Sequence, residues 1–175
     1  WQVPVADVAV TATDFVGATG EAMALGERAP VALLAPAAAS RLAIAEAITN
    51  LMAAPVAALA DVRLSCNWMA AAGWPGEDAG LYDAVRAAGA ELAPALGLAI
   101  PVGKDSMSMK TVWRDGDGDH AVVSPITLVV TAAAPVTDVA RVLTPDVGFE
   151  AADAEPVVLV VLELGGQGGV EHRLG

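Results

Sequence analysis

Residues 37–54 read AAASRLAIAEAITNLMAA, and this stretch predicts a helix over 37–53 that needs a sheet to pack against. Pro36 precedes it, where the missing N–H of proline costs nothing, and Pro55 follows it, where the helix has to end. Apolar side chains recur at helical spacing and form a single stripe: Leu42, Ala45, Ile48, Leu51 and Met52. A helix with one apolar stripe is stable when that stripe packs on a second layer.

The segments on either side of this helix supply the second layer. Apolar runs at 3–12, 61–68 and 98–102 predict strands, whereas residues 17–30, GATGEAMALGERAP, are typical of a turn-forming connection. A second helix is expected over about 77–96, with its end bent or shortened by Pro94. The apolar positions of that helix also share one face: Leu81, Val85, Leu92 and Leu96. The alternating order predicts an α+β fold, a mixed β-sheet covered on one face by the two helices.

The second half of the chain continues the pattern. Strand-like runs at 108–113 and 121–134 flank RDGDGDH, a strong hairpin-turn signal. Residues 136–145, VTDVARVLTP, predict a short helix capped by Thr137. Residues 156–164, PVVLVVLEL, predict a buried strand.

The composition changes after this short helix, which predicts a domain boundary. We expect a first domain over 1–142, a linker over 143–155 and the truncated start of a following domain over 156–175. A chain that begins with Trp1 also suggests an internal piece of a longer polypeptide.

Composition narrows the classes of partner. The chain has 175 residues and a formal net charge of −12. Such a charge repels polyanions and so argues against nucleic acid and an anionic membrane surface, whereas a phosphorylated small molecule stays compatible. The apolar runs are shorter than the roughly 20 residues that cross a bilayer. The single cysteine cannot form an internal disulfide, so a reducing, cytoplasmic location is expected.

Several features imitate functional sites. DGDGD, residues 115–119, resembles the start of a calcium loop, but an EF-hand needs Gly at its sixth position and Glu at its twelfth, where this chain has His120 and Ile126. GGQGG, residues 165–169, is a weak phosphate-loop signal because no helix start demonstrably follows it. His120 and His172 have no neighbouring residue with which to form a nucleophile–base pair. Cys66 fits a buried apolar position better than a nucleophile.

Oxygen-bearing side chains of two segments point to a cation. Asp7 interrupts a valine-rich strand, where a buried charge is costly unless it is paired or bound to metal. Glu46 and Asn50 are four residues apart on the predicted helix and share one face. Carboxylate and amide oxygens of this kind suit Mg²⁺. The alternative is a solvated helix edge and a turn aspartate with satisfied hydrogen bonds.

A polar cluster follows the third strand. Lys104, Asp105, Ser106 and Ser108 come directly after the apolar run that ends at Gly103, and strand-end loops of this kind commonly carry ligand-binding groups. The cluster is therefore a possible ligand or interface loop. In one interpretation the lysine and serines bind phosphate. In the other, Lys104 and Asp105 pair with residues elsewhere to lock two halves of a larger protein together.

Two long runs carry a family resemblance: LSCNWMAAAGWPGEDAGLYDAVRAAGAEL (64–92) and LGLAIPVGKDSMSMKT (96–111). Together with WQVPVADVAVTA, TGEAMALGERAPVALL, RLAIAEAITN and LTPDV they closely resemble the large, single-chain phosphoribosylformylglycinamidine synthases of purine biosynthesis, over nearly the whole chain. The resemblance implies an aminoimidazole-ribonucleotide-synthetase N-terminal-like domain, the second copy of an internal duplication. It also implies an ATP-dependent carbon–nitrogen ligase that converts formylglycinamide ribonucleotide to the amidine with ammonia from glutamine.

The same resemblance implies a site and partners. Ala6 corresponds to a nucleotide contact, and Asp7, Glu46 and Asn50 correspond to Mg²⁺ ligands of an auxiliary site that holds ADP, with one further acidic ligand beyond residue 175. No catalytic residue is expected in this segment. The implied partners are ATP or ADP, the ribonucleotide substrate and the remaining domains of the parent chain, including a glutaminase. The alternatives are a non-catalytic structural module that holds a nucleotide, or a stand-alone member of the aminoimidazole ribonucleotide synthetase superfamily.

Overall fold

The structure is a computed structural model that describes residues 6–144. Within this range the strands are β1 (Val8–Ala12), β2 (Gly20–Glu27), β3 (Arg63–Met69), β4 (Ala99–Ser106), β5 (Lys110–Asp115), β6 (Gly118–Val123) and β7 (Thr127–Val136). The α-helices are α1 (Ala29–Ala32), α2 (Pro36–Leu51), α3 (Glu77–Val85) and α4 (Ala93–Ala95), with a π-helical segment over Arg86–Leu92 and 3₁₀ turns over Leu59–Asp61 and Val139–Arg141.

The main sheet is mixed, as predicted. Its strands lie in the order β1-β2-β7-β3-β4. The first three neighbouring pairs are antiparallel and β3 pairs with β4 in parallel. The parallel pair is joined by the α3–α4 helical segment, which supplies the long crossover that parallel strands need. The mixed sheet with helices on one face is therefore confirmed.

Alternation along the strands leaves one face of the sheet buried and the other open. In β2, Ala22 and Ala24 are buried, whereas Met23 and Leu25 are 47% and 59% exposed. The buried side chains pack against α2, whose Ala43, Ile44 and Ala47 are fully buried. Because the facing residues are small, the helix lies close to the sheet.

Gly26 marks the closest approach of α2 to β2. A Cβ placed on this glycine would lie 2.1 Å from the carbonyl oxygen of Ala43 and 2.5 Å from the amide nitrogen of Ala47. Both atoms belong to the helix backbone, so no side-chain rotation can make room. Glycine is therefore what lets α2 rest directly on the end of β2.

Strand β2 corrects the sequence-based interpretation of residues 17–30, which predicted a turn-forming connection. The buried face of β2 consists of glycine and alanine, including Gly20 and Gly26, and these residues give little strand signal by hydrophobicity or propensity. Along β2, small residues point into the core and larger residues such as Met23 and Leu25 point outward. The large apolar side chains therefore mark the exposed face of the strand instead of its buried face. The strand is stabilised by pairing with β1 on one side and β7 on the other.

Other boundaries differ by a few residues. Strand β1 begins at Val8, so Ala6 and Asp7, which the prediction placed in the strand, precede it; residues 3–5 of the predicted strand lie outside the described range. The predicted short helix is one 3₁₀ turn whose cap is Asp138: its side chain accepts a hydrogen bond from the amide of Ala140 at 2.9 Å. Thr137, predicted as the cap, instead donates its hydroxyl to the carbonyl oxygen of Pro55.

The contacts of the chain divide it into two units, Trp1–Pro145 and Asp146–Gly175. The second unit lies outside the described residues, as do the strand predicted over 156–164, the GGQGG stretch and His172. The domain limits at 142 and 155 stay a prediction. Among the described helices, none combines the length and the apolar character that a membrane span requires.

Candidate functional site

An open pocket of about 480 Å³ brings together two distant parts of the chain. Its walls come from the start of β1, the end of β2, the end of α2 and one residue of β7: Ala6, Asp7, Val8, Ala9, Met23, Ala24, Leu25, Asn50 and Thr131. Ala6, Asp7 and Asn50, three of the four residues predicted to bind nucleotide or metal, thus line one pocket.

The secondary structure explains why these residues meet. Asp7 directly precedes β1, and the next residue, Val8, is paired with Ala24 of β2. Asn50 lies in the last turn of α2, and its Nδ2 donates a hydrogen bond to the carbonyl oxygen of Leu25 at 2.9 Å. The end of β2 is therefore the common support on which β1 and α2 converge.

The contact of Asn50 decides which of its atoms is available to a ligand. Since Nδ2 is used in the bond to β2, the side-chain oxygen is the atom that remains to accept a donor or coordinate a cation. A hard divalent cation such as Mg²⁺ binds oxygen atoms of this type. The bond to β2 thus leaves Asn50 with its oxygen, the type of atom that Mg²⁺ binds.

Glu46 is one helical turn away from Asn50 and contacts different groups. Its Oε2 accepts a hydrogen bond from the amide of Glu27 at 2.8 Å, and its Oε1 lies 3.0 Å from Nη1 of Arg28. Glu46 is not among the residues that line the pocket. The structure therefore places the fourth predicted residue beside the pocket, with its carboxylate held by the β2–α1 connection.

Asp7 does not sit in the environment that the sequence predicted. It was expected to be a charge buried among valines, but it precedes the strand and is exposed. The reason is that β1 begins at Val8 and forms the edge of the sheet, where a side chain reaches water. Its carboxylate therefore needs no metal to offset a burial cost.

The oxygen-bearing side chains at the pocket are of the type that binds Mg²⁺, but the described residues do not complete a coordination shell by themselves. Within the described residues, no group of three or more His, Cys, Asp and Glu side chains is arranged to hold a metal ion. The pocket offers one carboxylate, Asp7, and one amide oxygen, Asn50, with the Glu46 carboxylate beside it. Mg²⁺ commonly takes one or two carboxylates and completes its shell with phosphate oxygens and water.

The polar cluster after Gly103 lies elsewhere, and most of it is strand. Lys104, Asp105 and Ser106 belong to β4, because its parallel pairing with β3 continues through Ser106. Ser108 follows in an isolated bridge with Ala71. All four residues are exposed, and none of them lines the pocket. The cluster is an exposed edge strand rather than the predicted loop.

The acidic turn between β5 and β6 is a hairpin turn, as predicted, but His120 is not isolated. Its Nε2 lies 2.9 Å from Oδ1 of Asp115, and its ring stacks on Trp113 with centroids 5.1 Å apart. His120 and Trp113 border a second open pocket of about 420 Å³, whose other lining residues are Trp74, Val112, Asp119 and Ala121. Neither Asp115 nor Trp113 supplies a Ser, Cys or Thr nucleophile, so these contacts do not make the nucleophile–base pair whose absence the sequence predicted. Hairpin register, which pairs Trp113 with His120, was the signal that could have revealed the contact.

Cys66 is fully buried on the helix-covered side of the sheet, as the sequence predicted. Burial raises the pKa of its thiol from 9.0 to about 11, because the thiolate is poorly solvated there. A nucleophilic cysteine needs the opposite shift. Cys66 is thus a core residue.

Comparisons with known proteins agree with the fold. Residues 1–135 match the sequence model of the family described as the FGAR-AT PurM_N-like domain. Phosphoribosylformylglycinamidine synthase II from Thermotoga maritima is 20% identical over 82% of this chain, with a TM-score of 0.57. T. maritima PurL complexed with ATP is 20% identical over 81% of the chain, and the form complexed with FGAR is 19% identical over 82%, both with TM-scores of 0.57. The chain spans 22%, 22% and 21% of the length of these three structures.

Proposed function

The chain belongs to the FGAR-AT PurM_N-like domain family, and on that premise we propose that it is a segment of a phosphoribosylformylglycinamidine synthase. In this proposal the parent enzyme uses ATP and glutamine-derived ammonia to convert formylglycinamide ribonucleotide to the amidine. The described segment contributes architecture and a nucleotide–magnesium site. Structures of T. maritima PurL complexed with ATP, ADP, AMPPCP and FGAR support nucleotide and substrate binding by this type of protein.

The proposed site consists of Ala6 for the nucleotide and Asp7, Glu46 and Asn50 for Mg²⁺. One observation carries this assignment: Ala6, Asp7 and Asn50 line the same pocket although Asn50 follows Asp7 by 43 positions in the chain. An exposed carboxylate at a strand start and an amide oxygen at a helix end converge there. A merely solvated helix edge would not predict that convergence.

Each of the four residues has a distinct part in the proposal. Ala6 lies in the wall of the pocket and leaves room for the nucleotide, since its side chain is a single methyl group. Asp7 and Asn50 present oxygen atoms, and Glu46 presents a carboxylate that the amide of Glu27 already orients. Bound Mg²⁺ would neutralise the charge of the nucleotide phosphates next to these acids.

The polar edge strand is proposed as an interface rather than a nucleotide site. Lys104 and Asp105 are exposed on β4, at the edge of the sheet. In the parent chain they would contact a neighbouring domain or the substrate. Because they lie outside the pocket, their replacement should not change the nucleotide that the pocket retains.

The test measures nucleotide content and thermal stability in the full-length protein that contains this segment. Replacing Asp7 with Asn or Glu46 with Gln removes a charge with little change in shape. Both variants should purify with less bound nucleotide and melt at a lower temperature, because a ligand bound only to the folded state stabilises it by mass action. Glu21→Gln is the matched control, since Glu21 is an exposed acid of β2 outside the pocket.

The outcomes separate two functions. Unchanged nucleotide content and melting temperature in both variants would refute the site. Loss of nucleotide and stability, with substrate affinity retained, would establish a mainly structural nucleotide. Loss of turnover with nucleotide and stability intact would instead assign these residues to the catalytic site.

A further inference from the structure

We propose that Arg28 is a positioning residue of the nucleotide–magnesium site, and that it acts by orienting the carboxylate of Glu46 toward the metal. The inference rests on the proposed function and gives Arg28 a role that neither spacing nor the resemblance assigned to it. Arg28 lies in the connection between β2 and α1, directly after Glu27. Its Nη1 lies 3.0 Å from Oε1 of Glu46.

Two contacts hold the Glu46 carboxylate from two directions. Arg28 binds Oε1, and the amide of Glu27 donates to Oε2 at 2.8 Å. A carboxylate has about four lone-pair positions, so two remain for coordination after these contacts are made. Ligating carboxylates are typically held by outer hydrogen bonds in this way, and losing one such bond typically weakens metal binding about 10-fold to 100-fold.

The same stretch of β2 orients the other helix ligand. Asn50 bonds to the carbonyl oxygen of Leu25, two residues before the amide that binds Glu46. Alternate residues of a strand point the same way and lie about 6 to 7 Å apart. The end of β2 therefore orients both α2 side chains, Glu46 and Asn50. Arg28 adds a second contact to the Glu46 carboxylate.

An opposing effect has to be weighed. Arg28 is a cation beside a proposed cation site, so the repulsion between its charge and Mg²⁺ acts against the positioning effect. The Arg28 side chain is 37% exposed and that of Glu46 is 23% exposed, so water and salt screen this repulsion. The orientation of a ligand oxygen is not screened. Positioning should therefore outweigh repulsion, and loss of Arg28 should weaken metal-dependent binding.

The experiment separates the metal-dependent part of nucleotide affinity from the rest. In the full-length protein stripped of nucleotide, the dissociation constant for ADP is measured by calorimetry with Mg²⁺ and again with EDTA. Arg28→Gln should weaken binding about 10-fold to 100-fold in Mg²⁺ and leave the EDTA value unchanged. Arg28→Lys, which keeps the charge and one donor, should restore part of the loss.

Matched variants distinguish positioning from a loss of fold. Arg41→Gln removes a cation from the same helix α2, where Arg41 pairs with Glu91, and should leave both dissociation constants unchanged. The melting temperature of Arg28→Gln in EDTA should equal that of the parent. A lowered melting temperature in EDTA would assign Arg28 a purely structural role and overturn the inference.

Failure of the inference and failure of the proposed function give different results. If Asp7→Asn removes the Mg²⁺-dependent affinity while Arg28→Gln does not, the site stands and the role of Arg28 is wrong. Tighter binding by Arg28→Gln would show competition with the metal, which also overturns the inference. If neither variant changes the Mg²⁺ dependence, the nucleotide–magnesium site itself is refuted.

Discussion

At the scale of single residues, the end of β2 holds two side chains of α2: the amide of Glu27 binds Glu46, and the carbonyl oxygen of Leu25 binds Asn50. The separation of Glu46 and Asn50 by four residues predicts a shared helix face, and both side chains indeed reach β2. Spacing cannot say which strand they would meet or that one would pair with Arg28. Those contacts depend on the close approach of α2 to the end of β2, which is a tertiary feature.

Cys66 gives a prediction about reactivity. Its thiol is fully buried, and its pKa is raised to about 11, so at pH 8 only about one molecule in a thousand carries the reactive thiolate. The folded protein should therefore react with a disulfide reagent such as DTNB far more slowly than the protein in urea. Rapid stoichiometric reaction at pH 8 without denaturant would contradict the buried assignment.

The same thiol predicts a pH dependence of stability. The thiol titrates near 9.0 when unperturbed and near 11 in the folded state, so between these values the folded state holds a proton that the unfolded state has lost. The free energy of unfolding should fall as pH rises from 9 to 11, by about 2 to 3 kcal/mol in total, since one pKa unit corresponds to about 1.4 kcal/mol. Its contribution is fully present below pH 9.

The control for this pH dependence is Cys66→Ala, which lacks the thiol and keeps the other titrating groups. Urea unfolding at several pH values should give a difference between parent and variant that is constant below pH 9 and shrinks above it. A difference that stays constant up to pH 11 would show that the thiol does not titrate as described.

At the scale of secondary structure, Gly26 gives the sharpest prediction. An alanine there would place its methyl group against the backbone of α2, at 2.1 Å from the carbonyl oxygen of Ala43. Gly26→Ala should destabilise the fold by roughly 1 to 3 kcal/mol, as overpacking does. By moving α2 away from β2 it should also weaken nucleotide retention, because Asn50 and Glu46 reach β2 on either side of this contact.

Gly103→Ala is the matched control. Gly103 is also a strand glycine, but nothing lies within 4 Å of an added Cβ, so this substitution should change stability by no more than about 0.5 kcal/mol. Denaturant midpoints of the two variants provide the comparison. Equal midpoints would refute the tight contact between α2 and β2.

Helix α2 was predictable at this scale and strand β2 was not, for a physical reason. The extent of the helix is marked by Pro36 and Pro55, which are local signals. Its buried face, however, includes Ala43, Ile44 and Ala47, and of the predicted apolar stripe only Leu51 is fully buried. Strand β2 buries only small residues because α2 lies so close to it, and it exposes Met23 and Leu25. Its inward pattern follows from the helix that covers it, so no local signal indicates it. The pocket depends on β2 and therefore could not be built from sequence alone.

At the scale of the whole molecule, the segment should have no synthetase activity by itself. It spans about a fifth of the length of the related synthase structures, and under the proposed function the glutaminase and a further acidic metal ligand belong to other parts of the parent enzyme. The purified segment, supplied with ATP, ammonia and formylglycinamide ribonucleotide, should form no amidine above the uncatalysed background. Amidine formation that depends on the segment would refute its role as one part of a larger enzyme.

The open face of the sheet predicts self-association of the isolated segment. Helix α2 covers one face, and on the other Leu25 and Val102 are 59% and 46% exposed, an apolar surface of the kind that associates in water. Sedimentation at increasing concentration should show reversible association. Leu25→Glu should weaken this association at least about tenfold, since burying one leucine contributes about 1.5 to 3 kcal/mol and 1.4 kcal/mol corresponds to a tenfold change.

Leu34→Glu is the matched control. It makes the same change at a residue that is 89% exposed between α1 and α2, and it should leave association unchanged. A strictly monomeric parent, or equal effects of the two substitutions, would show that the open sheet face is not the associating surface.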